Sequence, residues 1–232
     1  MKKILLLALL GACHSYVFGQ HYMHTAVWTR LGLNVRLGPK LNFTAEAGLR
    51  RQNSLHHLSP IDKPQTNNLK LTFAYALNNN LNLVLSPYEK AYSNMLLGKE
   101  EDLKQPRIHE IRMSGGLEYI KRWERRRLQF RNLYEYRIFS SVVRHRIRSR
   151  LMSRYMVTPK TTFTIADEVF INIPPHRLPN WFNQNRLSCT FTHSFTPYLD
   201  LEAGYIYVFT ERITLSEFDH TNGLILYLTV KL

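Results

Sequence analysis

The chain has 232 residues, with 31 Lys and Arg against 17 Asp and Glu, a formal charge of +14, 44% hydrophobic residues and 2 cysteines. That length holds one large domain or two small ones. Two cysteines exclude a disulfide-stapled scaffold, and no His/Cys/carboxylate cluster or glycine-rich phosphate loop stands at ligand spacing, so neither a metal nor a cofactor is expected.

Met1-Lys2-Lys3 and the apolar run over 4–10 read as the basic and hydrophobic regions of a secretory leader over 1–19, leaving one domain over 20–232. The run is too short to span a bilayer as a helix. Leu10-Gly11-Ala12-Cys13 also resembles a lipoprotein box, which would place a lipid on Cys13. Otherwise the leader removes Cys13 and leaves Cys189, a small apolar strand residue by its parity with Leu187 and Phe191.

Alternation then hardly stops. Val27, Leu31, Leu33, Val35 and Leu37 share one parity, with Trp28, Arg30, Asn34 and Arg36 on the other, until the turn 38–40. Leu41, Phe43, Ala45, Ala47 and Leu49 oppose Asn42, Glu46 and Arg50; a polar stretch over 52–67 follows. Leu69, Leu71, Phe73 and Tyr75 oppose Lys70 and Thr72, and the turn 78–80 leads to a marginal strand with Leu81, Leu83 and Leu85. After a polar segment over 91–107, Ile111, Met113, Leu117 and Tyr119 oppose Glu110, Arg112 and Glu118. The turn 121–126 leads to Leu128, Phe130, Tyr134 and Tyr136, opposed by Arg131, Glu135 and Arg137.

Residues 144–157 read RHRIRSRLMSRYMV. At 100° per residue the arginines scatter round a helix; at 180° Arg144, Arg146, Arg148, Arg150 and Arg154 separate completely from Ile147, Leu151 and Tyr155. The stretch is therefore a strand facing two different solvents. Phe163, Ile165, Val169 and Ile171 oppose Thr164 and Glu168; Leu187, Cys189, Phe191 and Phe195 oppose Arg186 and Thr190; Leu199, Leu201, Ala203 and Tyr205 oppose Asp200 and Glu202; and Leu224, Leu226, Leu228 and Val230 close the chain.

These strands run roughly 9–13 residues, enough to cross a bilayer at a tilt. Short turns (38–40, 78–80, 121–126, 158–160, 196–198) alternate with longer polar loops (52–67, 91–107, 139–143, 172–183, 211–220). A soluble sandwich or lipocalin-like barrel also alternates, but its polar face would carry scattered surface charges rather than Arg and Glu at matching depths. The pattern predicts an all-β fold, a transmembrane antiparallel up-and-down barrel of 10–12 strands, in the outer membrane of a Gram-negative bacterium. The count comes to 11 strands. An even number would follow if residues 20–26 crossed the lumen, if the marginal strand were not one, or if one segment were two.

The inward parity then collects Glu46, Arg50, Glu110, Glu118, Arg131, Glu135, Arg137, Arg146, Arg148, Arg150, Glu168, Arg186 and Glu202, with Lys70, Arg112, Arg154 and Asp200. Charges buried in a narrow lumen must pair, so this set predicts a structural charge plug or a narrow, Arg/Glu-lined pore or transport element. Trp123, Trp181, Tyr198 and Phe209 lie near strand ends and read as an interfacial girdle. Basic composition suggests nucleic acid, but export and inward arginines argue against it. The expected partners are outer-membrane lipids, lipopolysaccharide and the barrel-insertion machinery, with the chain a monomer. An enzyme is the less favoured expectation; it would be a lipid acyl hydrolase using the outward His145, Ser149, Ser153 and His193, His145 and Ser149 being too far apart along one strand to bond directly.

Trp28, Glu46-x-x-x-Arg50, Arg131 with Glu135-x-Arg137, Arg146-x-Arg148-x-Arg150, Glu168-x-Phe170-x-Asn172, Asn183-Gln184-Asn185-Arg186-Leu187 and Glu202-x-Gly204-Tyr205 together resemble the domain of unknown function 2490 family of uncharacterised outer-membrane barrels. The resemblance spans essentially the whole chain after the leader. It implies location and fold; the family carries no established activity, and no catalytic residue follows from it.

Overall fold

A computed structural model describes residues 19–140, 142–173 and 180–232. The expected leader up to residue 18, Cys13 within it and the 174–179 part of the predicted loop lie outside the described residues. The strands are β1 (Gln20–Arg36), β2 (Leu41–Gln52), β3 (Lys63–Ala76), β4 (Leu81–Ser93), β5 (Ile108–Arg122), β6 (Arg126–Phe139), β7 (Val143–Thr158), β8 (Thr161–Ile173), β9 (Phe182–Thr196), β10 (Leu199–Glu211) and β11 (Glu217–Lys231), with a 3-10 turn over Glu100–Lys104.

Each strand pairs with its neighbour in the chain, and β1 pairs with β11 to close the barrel. All the sequential pairs are antiparallel; the closing pair is parallel, in register from Gln20 opposite Glu217 to Asn34 opposite Lys231. The odd count therefore stands, and none of the three ways to an even number applies. Residues 20–26 do not cross the lumen. They lengthen β1 along β11.

The strands are longer than expected, 12 to 17 residues. The extra length lies at the long-loop end, where β3 begins at Lys63 and β4 continues to Ser93. Ladder hydrogen bonds propagate there without an apolar face, so periodicity of two fades while the pairing continues. At the predicted loop 139–143, β6 ends at Phe139 and β7 begins at Val143, and Phe139 N–H bonds the Val142 carbonyl.

The marginal strand is a full member of the wall, irregular at one point. Its pairing with β5 shifts register between Ser86 and Glu89, with Pro87 inside the shift. Proline has no N–H for the ladder and is accommodated at bulges. Beyond it the parity reverses: Val84 and Ser86 are buried before the bulge, Glu89 and Ala91 after it.

Burial is inverted relative to a soluble domain. Leu31 is 63% exposed and Glu135 1%. Leu49, Leu117, Leu151, Phe191 and Leu224 are exposed on the outer face, while Glu110, Arg146 and Glu168 are buried. An exterior of this kind is stable against hydrocarbon, and closure leaves no free sheet edge. Inside the seam Ala26, Trp28, Ile206, Val208 and Ile225 form an apolar cluster backed by Tyr227. That cluster supports the parallel pair, whose slanted bonds are slightly weaker per residue.

Candidate functional site

Cross-strand register decides which charges meet inside the barrel. It sets Glu135 opposite Arg146, Glu118 opposite Arg131 and Glu168 opposite Arg186. It also sets like charges opposite each other: Arg112 and Arg137, Arg131 and Arg150, Arg127 and Arg154. Such pairs are destabilising unless a carboxylate lies between them.

For the first of these pairs a carboxylate does, and a second chain of charges runs beside it. Glu110 accepts from Arg112 Nε at 2.6 Å and also from Arg137, and Arg112 reaches Glu89 at 2.9 Å, which lies 3.6 Å from Lys70 Nζ. Glu135 accepts from Arg146 Nε at 2.7 Å and lies 3.5 Å from Arg148, whose Nε donates to Glu168 at 2.7 Å; Arg186 stands 3.5 Å from that carboxylate. Each chain of charges alternates cation and anion. Glu118 lies 3.8 Å from Arg131 and accepts from Asn82 Nδ2 at 3.0 Å. Glu46 pairs with Arg30 at 2.6 Å, and Glu202 lies 3.8 Å from Arg30 while accepting from Thr190 Oγ1 at 2.8 Å.

Arg50 and Arg150 stand apart. Among the described residues neither has a carboxylate within 4 Å. The Arg50 guanidinium lies 3.7 Å over the Trp28 ring, and Arg150 Nη2 lies 3.4 Å from Met152 Sδ. Arg186 also faces Trp28, at 5.2 Å, and Arg30 faces Tyr227 at 4.0 Å. Aromatic faces hold these guanidinium groups without consuming their N–H edges. They border a cavity of about 150 Å³ in the lumen, lined by eight cationic side chains and four carboxylates. At about 30 Å³ per water that space holds a few solvent molecules or one small ion. Trp28 Nε1 and Arg30 Nε are buried there with no hydrogen-bond acceptor. The cavity thus has donors to spare.

A second cluster closes the long-loop end. Arg212 donates to Asp102 Oδ1 at 3.0 Å, to Asp219 Oδ1 at 2.7 Å and to the Leu96 carbonyl at 3.2 Å, with its guanidinium 4.4 Å over Tyr22. Burial alone would lower the Arg212 guanidinium; its bonds to Asp219 and Asp102 outweigh that and hold it above the usual arginine value. Asp102 also accepts from Gly98 N at 2.8 Å, His24 Nε2 lies 2.8 Å from Asp219, Lys99 pairs with Glu217, and Gln52 Nε2 donates to the Met95 carbonyl at 2.9 Å. The segment 94–107 leaves β4 and returns to β5, yet it is fastened to β1, β2 and the β10–β11 connection. It folds inward over the mouth.

Three parts of this arrangement lie beyond the inward set predicted from alternation. Glu89 lies past the Pro87 bulge, whose proline was the available signal. Arg30 was visible on the inward parity of β1. The Arg212–Asp102 contact joins residues 110 positions apart and left no local pattern.

The outward residues considered for acyl hydrolysis do not converge. Tyr134 Oη and His145 Nδ1 lie 2.5 Å apart, Ser149 Oγ donates to Asn132 Oδ1 at 2.5 Å, and His193 lies 2.9 Å from Thr161. His193 on β9 is separated by β8 from Ser149 and Ser153 on β7. Trp123 and Tyr198 are exposed at the short-turn end and Trp181 at the long-loop end. Phe209, near the long-loop end of β10, is stacked on Phe218 at 5.5 Å and packed near Phe182.

No curated protein matches the chain. Among solved structures, one described as "NanC porin structure in rhombohedral crystal form" is similar with a TM-score of 0.50 and 10% identity, over 82% of this chain and 87% of that one. At that identity the likeness speaks for the barrel fold alone. The family model described as "Protein of unknown function (DUF2490)" matches residues 25–218, from the buried half of β1 to the start of β11, and the chain belongs to that family.

Proposed function

We propose that this chain is an outer-membrane barrel that admits small anionic solutes to a cationic constriction in its lumen. The observation that carries the reading is the imbalance around the central cavity: eight cations against four carboxylates, with Arg50 and Arg150 lacking a carboxylate partner among the described residues. A narrow lumen with excess guanidinium favours anion entry and disfavours cations. Aromatic support for Arg50 keeps its N–H groups available for an incoming oxyanion, and Arg30, though paired with Glu46, keeps its Nε without an acceptor. The exposed apolar exterior supports placement in a membrane, with lipids and lipopolysaccharide as its surroundings and insertion machinery as its route there.

The alternating charge chains also favour a second reading, a plug that fixes barrel shape and conducts little. Planar-bilayer recording with purified protein separates the two. Discrete steps whose reversal potential in a KCl gradient lies on the chloride side support the conduit. Cation-selective steps overturn it, and silence across many insertions assigns the lumen to the plug.

A further inference from the structure

The outer face carries a feature that the lumen reading does not use. One cross-strand row runs from Lys90 on β4 through Leu69 on β3, Ala47 on β2, Leu31 on β1 and Leu228 on β11 to Leu201 on β10. All six residues line a single groove, flanked by Leu49 and Leu226. Ala47 makes the dip: a methyl group between Leu31 and Leu69 in the same row. Five strand spacings of about 4.8 Å give the row roughly 24 Å, close to the reach of an extended fatty acyl chain.

The groove has a charged head. Lys90 Nζ lies 5.1 Å from the Tyr92 ring centroid and the Arg107 guanidinium 5.2 Å from the same centroid. Among the described residues no carboxylate lies within 4 Å of either cation. Lys90 is three residues from the long-loop end of β4 and Arg107 just precedes β5. Two unpaired cations thus meet at one tyrosine at the rim, where an apolar groove begins and descends obliquely round the wall. A scattered snorkelling lysine has no such groove beneath it.

We infer that this face holds one lipopolysaccharide molecule, its phosphate between Lys90 and Arg107 beside the Tyr92 ring and an acyl chain along the Ala47 row. The inference rests on the reading of the barrel as a membrane protein with its long-loop end outward. Phosphate suits the pair, since a guanidinium donates two parallel N–H bonds while an ammonium adds a point charge. The position of the charged head at the long-loop rim, the outward end on this reading, favours the phosphorylated glycolipid over a phospholipid.

The test is lipid retention by full-length protein extracted in mild detergent, read by native mass spectrometry after adding purified lipopolysaccharide or phosphatidylglycerol. The expected result is one glycolipid per barrel for wild type. Retention should fall about tenfold in Lys90→Gln with Arg107→Gln, and also in Ala47→Phe, which fills the dip while keeping both charges. Heat-modifiable gel migration monitors folding in each case. Two folded variants that retain glycolipid as wild type does overturn the site, as does preferential retention of phosphatidylglycerol. A wild-type chain that stays soluble without detergent overturns the membrane reading itself, an outcome distinct from a folded, membrane-inserted barrel that carries no lipid.

Discussion

Arg148 bridges two buried carboxylates, standing 3.5 Å from Glu135 and 2.7 Å from Glu168. Removing it leaves Glu135 with Arg146 alone and Glu168 with the longer Arg186 contact. Breaking a buried, hydrogen-bonded charge arrangement costs about 3–5 kcal/mol. Arg148→Ala should therefore lower the temperature of the heat-modifiable gel transition well below wild type, while Lys40→Ala in the β1–β2 turn leaves it unchanged. Equal transitions would remove the energetic role assigned to the bridge. Gly204 makes a different demand at the same scale. A Cβ there would lie 2.2 Å from the Cys189 carbonyl oxygen and 2.6 Å from Thr190 Cα, both backbone atoms of the adjoining strand. Gly204→Ala should cost about 1–3 kcal/mol through forced separation of β9 and β10, seen as a lower transition temperature with the channel properties of the surviving folded fraction unchanged.

At the scale of elements, the segment 94–107 has little regular structure of its own beyond one 3-10 turn. Its position comes from Arg212, which gathers Asp102, Asp219 and the Leu96 carbonyl. Arg212→Ala strands two carboxylates together and releases the segment, whereas the ladders of β4 and β5 remain. Trypsin should then cut at Lys99, Lys104 or Arg107 about tenfold faster than in wild type, with heat modifiability retained. Unchanged cleavage would mean that other contacts, such as Gln52 with Met95, hold the segment without Arg212. Pro87 acts at this scale too. It reverses the parity of β4, and that reversal brings Glu89 inward between Lys70 and Arg112.

For the molecule as a whole, the excess of arginine over carboxylate is concentrated where no carboxylate mediates. Neutralising Arg50 and Arg150 together to Gln removes two positive charges from the cavity without stranding a Glu. Anion preference in bilayer recordings should fall by at least about half, and the remaining preference should weaken further at high salt as screening shortens the reach of the other cations. An unchanged reversal potential would place the selectivity elsewhere. The fold should survive this change better than Arg148→Ala, since neither side chain belongs to the charge chains.

Strand identity, sidedness and inward charge were legible from residues 144–157 and their neighbours, because a closed wall that is apolar outside and charged inside imposes a period of two on every strand. The family was legible for a related reason: Arg and Glu at fixed depths recur along the chain as short motifs. Other features depended on pairing across the sheet. Which arginine meets which glutamate follows from register, and a shift of one residue would turn every side chain to the other face. Closure through a parallel β1–β11 pair joins segments about 200 residues apart, and no local pattern encodes it. The Arg212 contacts and the Lys90–Leu201 groove arise in the same way, from residues adjacent only once the barrel is shut. Local alternation is a property of each strand and its two solvents, so the sequence alone determined it. Partnership is a property of the closed sheet, and only the tertiary structure decided it.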